Sequence, residues 1–554
     1  MFSFMRKRPE EVGIPSGAIA AYIRAIEERR LCLHSLLIIR RGALVFEGQW
    51  APMTSTEKHR LYSSSKSFVS MAIGLLVGDG KLQLSDRVVD FFPEYDQSGM
   101  HRWMKDTTIR DLLCMADCHD DTTYNMNKPE PDMDWVRTWF ETPPTHKSGT
   151  VFQYNTACTL MLCVIVERVA GKNFEDLLRE RVFEPMGMRE DITCVKSPCG
   201  HSWGGSGILA GAMDLAKMAY LVMHGGCVDG KQLLPADYVR EATANQIDNA
   251  IDADNVEYME GYGYQIWMSD DDGDYQFNGA FGQYVLVFPK QETVIAMYSG
   301  SSNLFVNGGL SGMVRELLTS FADEPLAADN EAYASLKSTL NSLEYSPSHP
   351  RYLGTDAEEF ERIAYRLDGR EYFAGPNTGG LFPQTLQAVH SNMTDSVTML
   401  RFEKRDKDLY LYIYEKDERN LLVLRHDGAF EYGAATMRGE RQLVATRCRW
   451  KLDVNRIRLW VMTGFIETPN SRILTLDIAP QKMSVTFDER PALDKTVQML
   501  FDLVGVSSMA FYRHMLPLLQ RENLVNLVKR FTEPVAECVM VKHNDEEPLP
   551  RIEK

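Results

Sequence analysis

The sequence contains no uninterrupted apolar run of about 18 residues, the length that a membrane-spanning helix needs. Its first residues place the basic side chains after the apolar ones and lack the long apolar stretch of a signal peptide. Positive charge is also scarce, since 60 Lys and Arg against 77 Asp and Glu give a net charge of −17. Without a basic patch, neither nucleic acid nor an anionic membrane is an expected partner. We therefore expect a cytoplasmic protein.

The ten cysteines follow none of the common zinc-binding spacings. The nearest candidates combine two cysteines with a histidine: Cys114, Cys118 and His119, and Cys194, Cys199 and His201. Most cysteines lie within apolar patterns, which in a chain without a signal peptide indicates buried, reduced thiols. We predict neither a metal site nor an organic cofactor.

The chain is too long for one hydrophobic core, because cores stop growing at about 250–300 residues. A stretch at 323–358, rich in Asp, Glu, Ala, Ser and Pro, predicts a linker with one short helix. It separates a mixed helical and strand-containing domain, 1–322, from a β-rich domain, 359–554, that ends in a helical tail over about 495–532. Four alternating runs predict a small antiparallel barrel or sandwich there: 397–402, 409–414, 456–461 and 473–478.

Three further elements are expected in the N-terminal domain. The apolar spacing within 1–30 predicts an amphipathic helix, and 35–47 reads as a hairpin with its turn at Arg41-Gly42. Two strong strands, 284–289 and 292–298, close the domain.

A nucleophile motif, Ser63-Ser-Ser-Lys66, begins a predicted helix, because apolar residues recur after it at helical spacing. Ser63 and Lys66 then lie on one face at the helix N-terminus. A serine hydroxyl needs a neighbouring base, and a lysine serves as one when burial or positive neighbours lower its pKa. The helix N-terminus supplies free N–H groups where an oxyanion forms. The pattern favours nucleophilic catalysis.

Two alternatives accompany this short motif. Ser55-Thr-Glu-Lys58 matches it as well, but it lies in a charged stretch with no apolar helix behind it, and we interpret it as a chance match. Ser63 itself is also compatible with a simple helix N-cap. The surroundings of Ser63 distinguish between these interpretations.

An ordered sequence surrounds Ser63: His59-Arg-Leu-Tyr-Ser-Ser-Ser-Lys66, then Gly80-Lys-Leu-Gln-Leu-Ser-Asp86 and Phe91-Phe-Pro-Glu94. This order resembles the nucleophile helix of the serine β-lactamase and penicillin-binding-protein family, which includes class C β-lactamases, carboxypeptidases and esterases. The resemblance implies an α+β domain in which an antiparallel sheet is flanked by helices, with a helical subdomain at about 80–270. It also implies that Ser63 is the nucleophile and Lys66 its proton-handling partner.

A second block contains Tyr154-Asn155-Thr156, followed by an apolar helix and Glu184-Pro-Met-Gly-Met188. It resembles the family's Tyr-x-Asn segment, which implies that Tyr154 passes protons between Ser63 and the leaving group. The family's asparagine position falls on Thr156, with Asn155 beside it. Both residues are therefore candidates for substrate binding.

A third block, Trp203-Gly-Gly-Ser-Gly-Ile-Leu-Ala210, resembles the glycine turn that follows the family's helical subdomain. We expect a structural role for it. Its Gly-Gly-Ser-Gly run is no nucleophile elbow, because no strand precedes it and Ile208 stands where that motif has glycine.

A fourth block, Phe277-Asn278-Gly279-Ala280, precedes a strand and resembles the family's Lys-Thr-Gly strand. The resemblance implies an oxyanion hole formed by the N–H groups of Ser63 and Ala280, with Asn278 and Gly279 next to the substrate. Glycine permits a close approach of the backbone. Phe277 stands where the family has the basic residue that binds a substrate carboxylate, so recognition of penicillins or D-alanyl ends is not expected.

The resulting hypothesis is a serine hydrolase that cleaves a small, neutral ester or amide through an acyl-enzyme at Ser63. One alternative is a D-amino-acid peptidase or β-lactamase-like activity, in which Lys196, His201 or His146 replaces the missing base. Another is a non-catalytic binding protein on the same scaffold. The sequence makes no prediction of oligomeric state.

Overall fold

The computed structural model describes residues 2–29, 31–120, 123, 134–249, 260–269, 273–300, 310–344, 353–390, 392–492 and 534–541. Contacts divide the chain into two compact units. Among the described residues, the first contains those of Met1–Pro347 and Glu467–Pro469, and the second contains those of Ser348–Ile466 and Asn470–Asp494 together with 534–541. The division between Pro347 and Ser348 falls inside the predicted linker 323–358.

The first unit is built on a seven-stranded sheet with the order β1-β3-β2-β12-β11-β10-β9. All neighbours are antiparallel except β1 and β3. A three-stranded sheet, β4-β6-β5, and a hairpin of β7 and β8 complete its described β-structure. The strands are β1 Met5–Arg6, β2 Leu33–Arg40, β3 Ala43–Gln49, β4 His59–Arg60, β5 Thr193–Cys194, β6 Ile208–Ala210, β7 Cys227–Val228, β8 Lys231–Gln232, β9 Trp267–Met268, β10 Tyr275–Gly279, β11 Gln283–Phe288 and β12 Thr293–Ser299.

Two buried helices, α2 and α6, pack together at the centre of this unit. Both are apolar nearly all round, as expected of helices that are covered on every side. The helices of the unit are α1 Ser16–Glu28, α2 Ser65–Gly78, α3 Arg102–Lys105, α4 Ile109–Leu113, α5 Trp135–Glu141, α6 Thr156–Ala170, α7 Phe174–Leu178, α8 Ala212–Met223, α9 Ala236–Ala242, α10 Leu310–Leu318 and α11 Asn330–Leu340.

The predicted strand pairs of this unit are present. The hairpin expected at 35–47 is β2 and β3, and the strands expected at 284–289 and 292–298 are β11 and β12. The N-terminal helix is shorter than predicted. Met5 and Arg6 pair with β3 as an edge strand, and α1 starts only after Pro15, whose fixed backbone suits the residue preceding a helix.

The helix predicted within the linker is α11, which belongs to the first unit. Nη1 of Arg8 donates a hydrogen bond to Oδ1 of Asn330 at 2.9 Å, and the Arg8 guanidinium lies 4.3 Å from the centre of the Tyr333 ring. The backbone before α11 is bound too, because the N–H of Leu326 donates to the carbonyl of Glu10 at 2.8 Å. The residues before 345 are thus packed rather than extended between domains.

The second unit is a ten-stranded antiparallel sheet with the order β16-β15-β14-β13-β22-β21-β20-β19-β18-β17. Its elements are α12 Ala357–Leu367, β13 Glu371–Ala374, α13 Gln384–His390, β14 Met399–Arg405, β15 Asp408–Glu415, β16 Glu418–Leu424, β17 Glu431–Met437, β18 Glu440–Asp453, β19 Arg456–Phe465, β20 Ser471–Ile478, β21 Lys482–Arg490 and β22 Val535–Met540.

A side chain joins the two edges of this sheet. The carboxamide of Asn420, on β16, donates to the carbonyl of Thr436 at 3.1 Å and accepts from its N–H at 2.7 Å, on β17. The amide of Asn420 thereby takes the place of a pair of backbone hydrogen bonds between β16 and β17 and gives the sheet the form of a barrel. Without this link, the unpaired edges of the sheet could bind other strands.

The predicted α+β class is confirmed: an antiparallel sheet accompanied by helices is followed by an antiparallel, barrel-like sheet. All four predicted strands of the second domain are present, as β14, β15, β19 and β20. The helical tail predicted at 495–532 lies outside the described residues. Within the part of the chain that the structure describes, no helix is long and apolar enough to cross a membrane.

Candidate active site

Ser63 lies in a single 3₁₀ turn, Tyr62–Ser64, that leads directly into α2. The N–H of Leu61 donates to the carbonyl of Ile208 at 2.8 Å, which ties the start of this turn to β6. Tyr62 has a φ of 48°, in the left-handed region that non-glycine residues rarely adopt. Such backbone persists only where the surroundings impose it, and here the Tyr62 ring packs edge-on against Phe281 at 5.2 Å.

The neighbouring serines have structural partners, and this distinguishes Ser63 from them. The hydroxyls of Ser64 and Ser67 donate to the carbonyls of Gln283 and Gln265 at 2.6 and 2.8 Å. Ser65 accepts from the N–H of Ile208 at 3.1 Å. These three serines are buried, whereas Ser63 is partly exposed. Ser63 is therefore the serine of this run that a substrate can reach.

Lys66 is 1% exposed and its Nζ lies 2.9 Å from Oγ of Ser63. The same Nζ donates to the carbonyl of Gly205 at 2.7 Å. Burial lowers the pKa of Lys66 from 10.5 to about 7, since an ammonium ion is poorly solvated there. Near neutral pH a large fraction of Lys66 is thus neutral and able to accept a proton from Ser63.

Tyr154 lies next to Lys66, whose Nζ is 4.9 Å from the centre of the phenol ring. The hydroxyl of Tyr154 is hydrogen-bonded to Ser63, and Trp267 stacks on its ring at 5.3 Å. Burial raises the pKa of Tyr154 above its usual value, and the hydrogen bond with Ser63 only partly offsets this. The phenol therefore keeps its proton at neutral pH and is a proton donor, in contrast to Lys66.

The hairpin of β10 and β11 brings Ala280 close to the turn that carries Ser63. A Cβ on Gly279 would lie 2.2 Å from the carbonyl oxygen of Leu61, so only glycine allows this approach. The Ser64–Gln283 hydrogen bond holds the other side of the hairpin turn. Among the described residues, no backbone carbonyl accepts a hydrogen bond from the N–H of Ala280, as an oxyanion donor requires.

The predicted substrate-binding residues have different surroundings. The Asn155 side chain is fully buried, accepts from the N–H of Ala157 at 2.9 Å as the cap of α6, and donates to Asp117 at 3.2 Å. Its amide is committed to these internal bonds, so the geometry does not favour substrate contact by Asn155. Thr156 is half-buried and Asn278 is 8% exposed at the end of β10, next to Gly279. Their contact with substrate stays a prediction.

The second Ser-x-x-Lys match lacks the geometry of the first. Nζ of Lys58 donates to the carbonyl of Asp191 at 3.0 Å and lies 3.7 Å from its carboxylate. Ser55 is exposed in a bend and does not begin a helix.

Each candidate for the missing substrate-binding base has a carboxylate partner. Lys196 donates to Glu175 at 2.9 Å, Nδ1 of His201 lies 2.5 Å from Glu167, and Nδ1 of His146 lies 3.1 Å from Asp120. Phe277, at the position of the family's base, is fully buried in the core. None of these groups presents an unpaired positive charge to a substrate.

Sequence reasoning missed three contributors to this site. Gly205 was expected to be structural, but its carbonyl holds Lys66, and a Cβ at Gly205 would lie 2.5 Å from Thr156. Trp267 lies on a two-residue strand without a recognisable motif. Asp117 binds Asn155 from a loop whose only noticed feature was the neighbouring Cys118-His119 pair.

A partly exposed serine beside a buried lysine, at the start of a helix in this α+β fold, defines a β-lactamase-like serine hydrolase. The Beta-lactamase family model matches residues 5–308. The match covers more than half of the sequence, and the chain belongs to this family.

Two curated relatives are similar to part of the chain. The chain is 24% identical over 310 residues to the 6-aminohexanoate-dimer hydrolase of Paenarthrobacter ureafaciens, covering 52% of this chain and 79% of the relative. It is 24% identical over 200 residues to esterase EstB of Burkholderia gladioli, covering 31% and 49% of the two chains.

Solved structures of similar fold include two penicillin-binding-protein homologues. The one from Caulobacter crescentus covers 57% of this chain and 99% of its own, with 16% identity and a TM-score of 0.47. The octameric one from Pyrococcus abyssi covers 82% and 97%, with 15% identity and a TM-score of 0.42.

Proposed function

We propose that the protein hydrolyses a small, neutral ester or amide through an acyl-enzyme on Ser63. The observation that carries this proposal is the 2.9 Å contact between Oγ of Ser63 and Nζ of Lys66, a lysine whose pKa burial lowers to about 7. Names of the curated relatives, a 6-aminohexanoate-dimer hydrolase and an esterase, support hydrolysis of this kind.

The two proton-handling residues take different roles because burial shifts their pKa values away from each other. Oγ of Ser63 attacks the carbonyl carbon while neutral Lys66 accepts the hydroxyl proton. The N–H groups of Ser63 and Ala280 bind the oxyanion. Tyr154 then donates its proton to the leaving group, and the Lys66 ammonium restores that proton to Tyr154.

Water releases the acyl group by the reverse route. It attacks the Ser63 ester while Lys66 accepts one of its protons, and the tetrahedral oxyanion occupies the same two N–H groups. Collapse of this intermediate returns the carboxylic acid and the Ser63 alkoxide, which regains its proton from Lys66. These steps use the side chains and backbone N–H groups of this chain together with the substrate and water.

A fluorophosphonate tests the nucleophile directly, because it forms a covalent bond only with an activated serine. We expect intact-mass measurement to show one adduct on the wild type and on Ser55→Ala, and none on Ser63→Ala. Ser55→Ala is the matched control, since Ser55 is the serine of the second Ser-x-x-Lys match and touches neither Lys66 nor Tyr154 in the described structure. The absence of an adduct on all three proteins would favour the alternative of a non-catalytic binding protein, and an adduct on Ser63→Ala would show that Ser63 is not the nucleophile.

The surroundings of Phe277 predict a preference for uncharged acyl groups. We expect kcat/KM to be about tenfold or more higher for a p-nitrophenyl ester whose acyl chain ends in a methyl ester than for the same chain ending in a carboxylate. An unpaired carboxylate near the site costs about 1–3 kcal/mol, and Lys196, His201 and His146, the candidate partners for it, are each bound to an acidic side chain. A preference for the carboxylate would instead support the peptidase or β-lactamase-like alternative.

We propose a cytoplasmic location. All ten cysteines lie in the described part of the chain as thiols, none of them joined in a disulfide, and seven are buried. Thiols in this number are typical of a reducing compartment. The same proposal includes a small-molecule partner and neither nucleic acid nor membrane, in line with the net charge of −17.

A further inference from the structure

Asp117 and His119 form a buried ion pair close to the segment that contains Tyr154. Asp117 is 0% and His119 1% exposed, and Nδ1 of His119 lies 2.9 Å from Oδ2 of Asp117. Nε2 of His119 lies 3.0 Å from the carbonyl of Thr142. Because both ring nitrogens face acceptors, both carry a proton and the imidazole is cationic. Burial alone would lower the pKa of His119, but the hydrogen bond and charge of Asp117 raise it to about 10.

The Asp117 carboxylate is the acceptor for three buried side chains. Besides His119, Nε1 of Trp139 donates to it at 2.9 Å, and Nδ2 of Asn155 lies 3.2 Å from both oxygens. Asn155 in turn accepts from the N–H of Ala157 and begins α6. The carboxylate therefore holds the residue that directly follows Tyr154.

The backbone around Asp117 binds the chain that precedes Tyr154. The carbonyl of Met115 accepts from the N–H of Gln153 at 2.8 Å, and the carbonyl of Ala116 accepts from the N–H of Gly149 at 2.7 Å. Tyr154 thus lies between two anchors from one short segment: backbone bonds before it and the Asp117 carboxylate after it. Such double anchoring restricts where the phenol can point.

We propose that the Asp117–His119 ion pair is a positioning element for Tyr154, holding the phenol within reach of Ser63 and the leaving group through the Asn155 amide. This inference rests on the proposed function, in which Tyr154 donates a proton to the leaving group. Asp117 touches neither Ser63 nor Lys66 among the described contacts, so its effect passes through Asn155. His119 holds one oxygen of the carboxylate and so orients it toward Trp139 and Asn155.

Leaving-group dependence distinguishes positioning from a general structural role. An alkoxide must be protonated as it departs, whereas p-nitrophenolate departs without a proton. We expect Asp117→Asn, in the full chain, to lower kcat for an ethyl ester by about 10²-fold, as a misplacement of about 1 Å can do. For the p-nitrophenyl ester of the same acid we expect less than about a threefold change. In the Tyr154→Phe background the same substitution should add almost nothing, because the two act through one proton transfer.

Asp214→Asn is the matched control. Asp214 is 2% exposed in the same unit and accepts two backbone N–H bonds, from Arg189 and Gly211, at the start of α8. Asp214→Asn should lower the melting temperature, and any change in kcat should be the same for the ethyl and the p-nitrophenyl ester. If Asp117→Asn does not fold, Trp139→Phe removes one donor to Asp117 without changing any charge, and a smaller loss with the same selectivity is expected.

Two results would overturn the inference while leaving the proposed function intact, provided that the wild type is active. The first is an equal loss of kcat for both esters on Asp117→Asn, and the second is an undiminished effect of Asp117→Asn in the Tyr154→Phe background. The proposed function fails separately if the wild type hydrolyses neither ester and takes no fluorophosphonate, and the inference then fails with it. Kinetics and intact mass on the wild type, Asp117→Asn, Tyr154→Phe, the double variant and Asp214→Asn separate these outcomes.

Discussion

Replacing Lys66 by methionine is expected to lower kcat for ethyl and p-nitrophenyl esters alike by about 10²–10⁴-fold, the usual contribution of a positioned general base. Methionine fills much of the same buried volume but accepts no proton from Ser63. Attack by the hydroxyl is needed for every substrate, so the loss should not depend on the leaving group. Initial rates at saturating substrate, with the melting temperature measured in parallel, check this prediction.

Lys58→Met is the control for this substitution, since Lys58 ends the second Ser-x-x-Lys match and is bound to Asp191. Its rates should equal those of the wild type. A Lys66→Met variant that keeps more than about a tenth of the activity would show that Lys66 is not the base. Labelling by fluorophosphonate should slow in the same proportion as turnover.

The rise of kcat/KM on the acid side of the pH profile should report the ionisation of Lys66. Lys66 works as a base only when neutral, so kcat/KM should rise with pH and level off above about 7, where its ammonium has lost the proton. Lys66→Arg should show no such recovery up to pH about 10, because a guanidinium stays charged. A profile already flat below pH 6 would contradict the lowered pKa of Lys66.

Local periodicity was enough to predict much of the fold. Helix α2 and the pairs β2–β3 and β11–β12 follow directly from apolar spacing and turn residues. Strand β22 was missed, although its six residues alternate between exposed and buried, because it pairs with strands that lie far from it in the sequence. Long-range pairing of this kind leaves no local signal. The Asn420 amide that joins the sheet edges was invisible for the same reason.

The candidate site likewise contains some residues that the sequence predicts and others that only the structure shows. Ser63 and Lys66 are three residues apart on one helix, so their contact could be derived from spacing alone. The position of Tyr154 required a family resemblance, because nothing local links it to Ser63. Gly205 and Asp117 act through backbone or buried contacts that only the folded chain shows. From the sequence, Gly205 was expected to have a structural role and Asp117 was given none.

Replacing Tyr154 by phenylalanine is expected to lower kcat for an ethyl ester by about 10²–10⁴-fold and to change the p-nitrophenyl ester rate by less than about tenfold. Phenylalanine keeps the ring between Trp267 and Lys66 and removes only the hydroxyl. Because the pKa of Tyr154 is raised, the hydroxyl is protonated at neutral pH and supplies the proton that an alkoxide needs. A plot of log kcat against leaving-group pKa should therefore be steeper for the variant than for the wild type.

Tyr238→Phe provides the control for losing a buried phenol hydroxyl. Tyr238 is 4% exposed and its OH lies 3.0 Å from Oγ of Ser70, on the part of α2 remote from Ser63. Its loss should cost about 1 kcal/mol of stability without changing the slope. Equal losses for ethyl and p-nitrophenyl esters in Tyr154→Phe would make the tyrosine a partner of Lys66 in activating Ser63. The proton of the leaving group would then have to come from the Lys66 ammonium, which is formed at Ser63 in the step before.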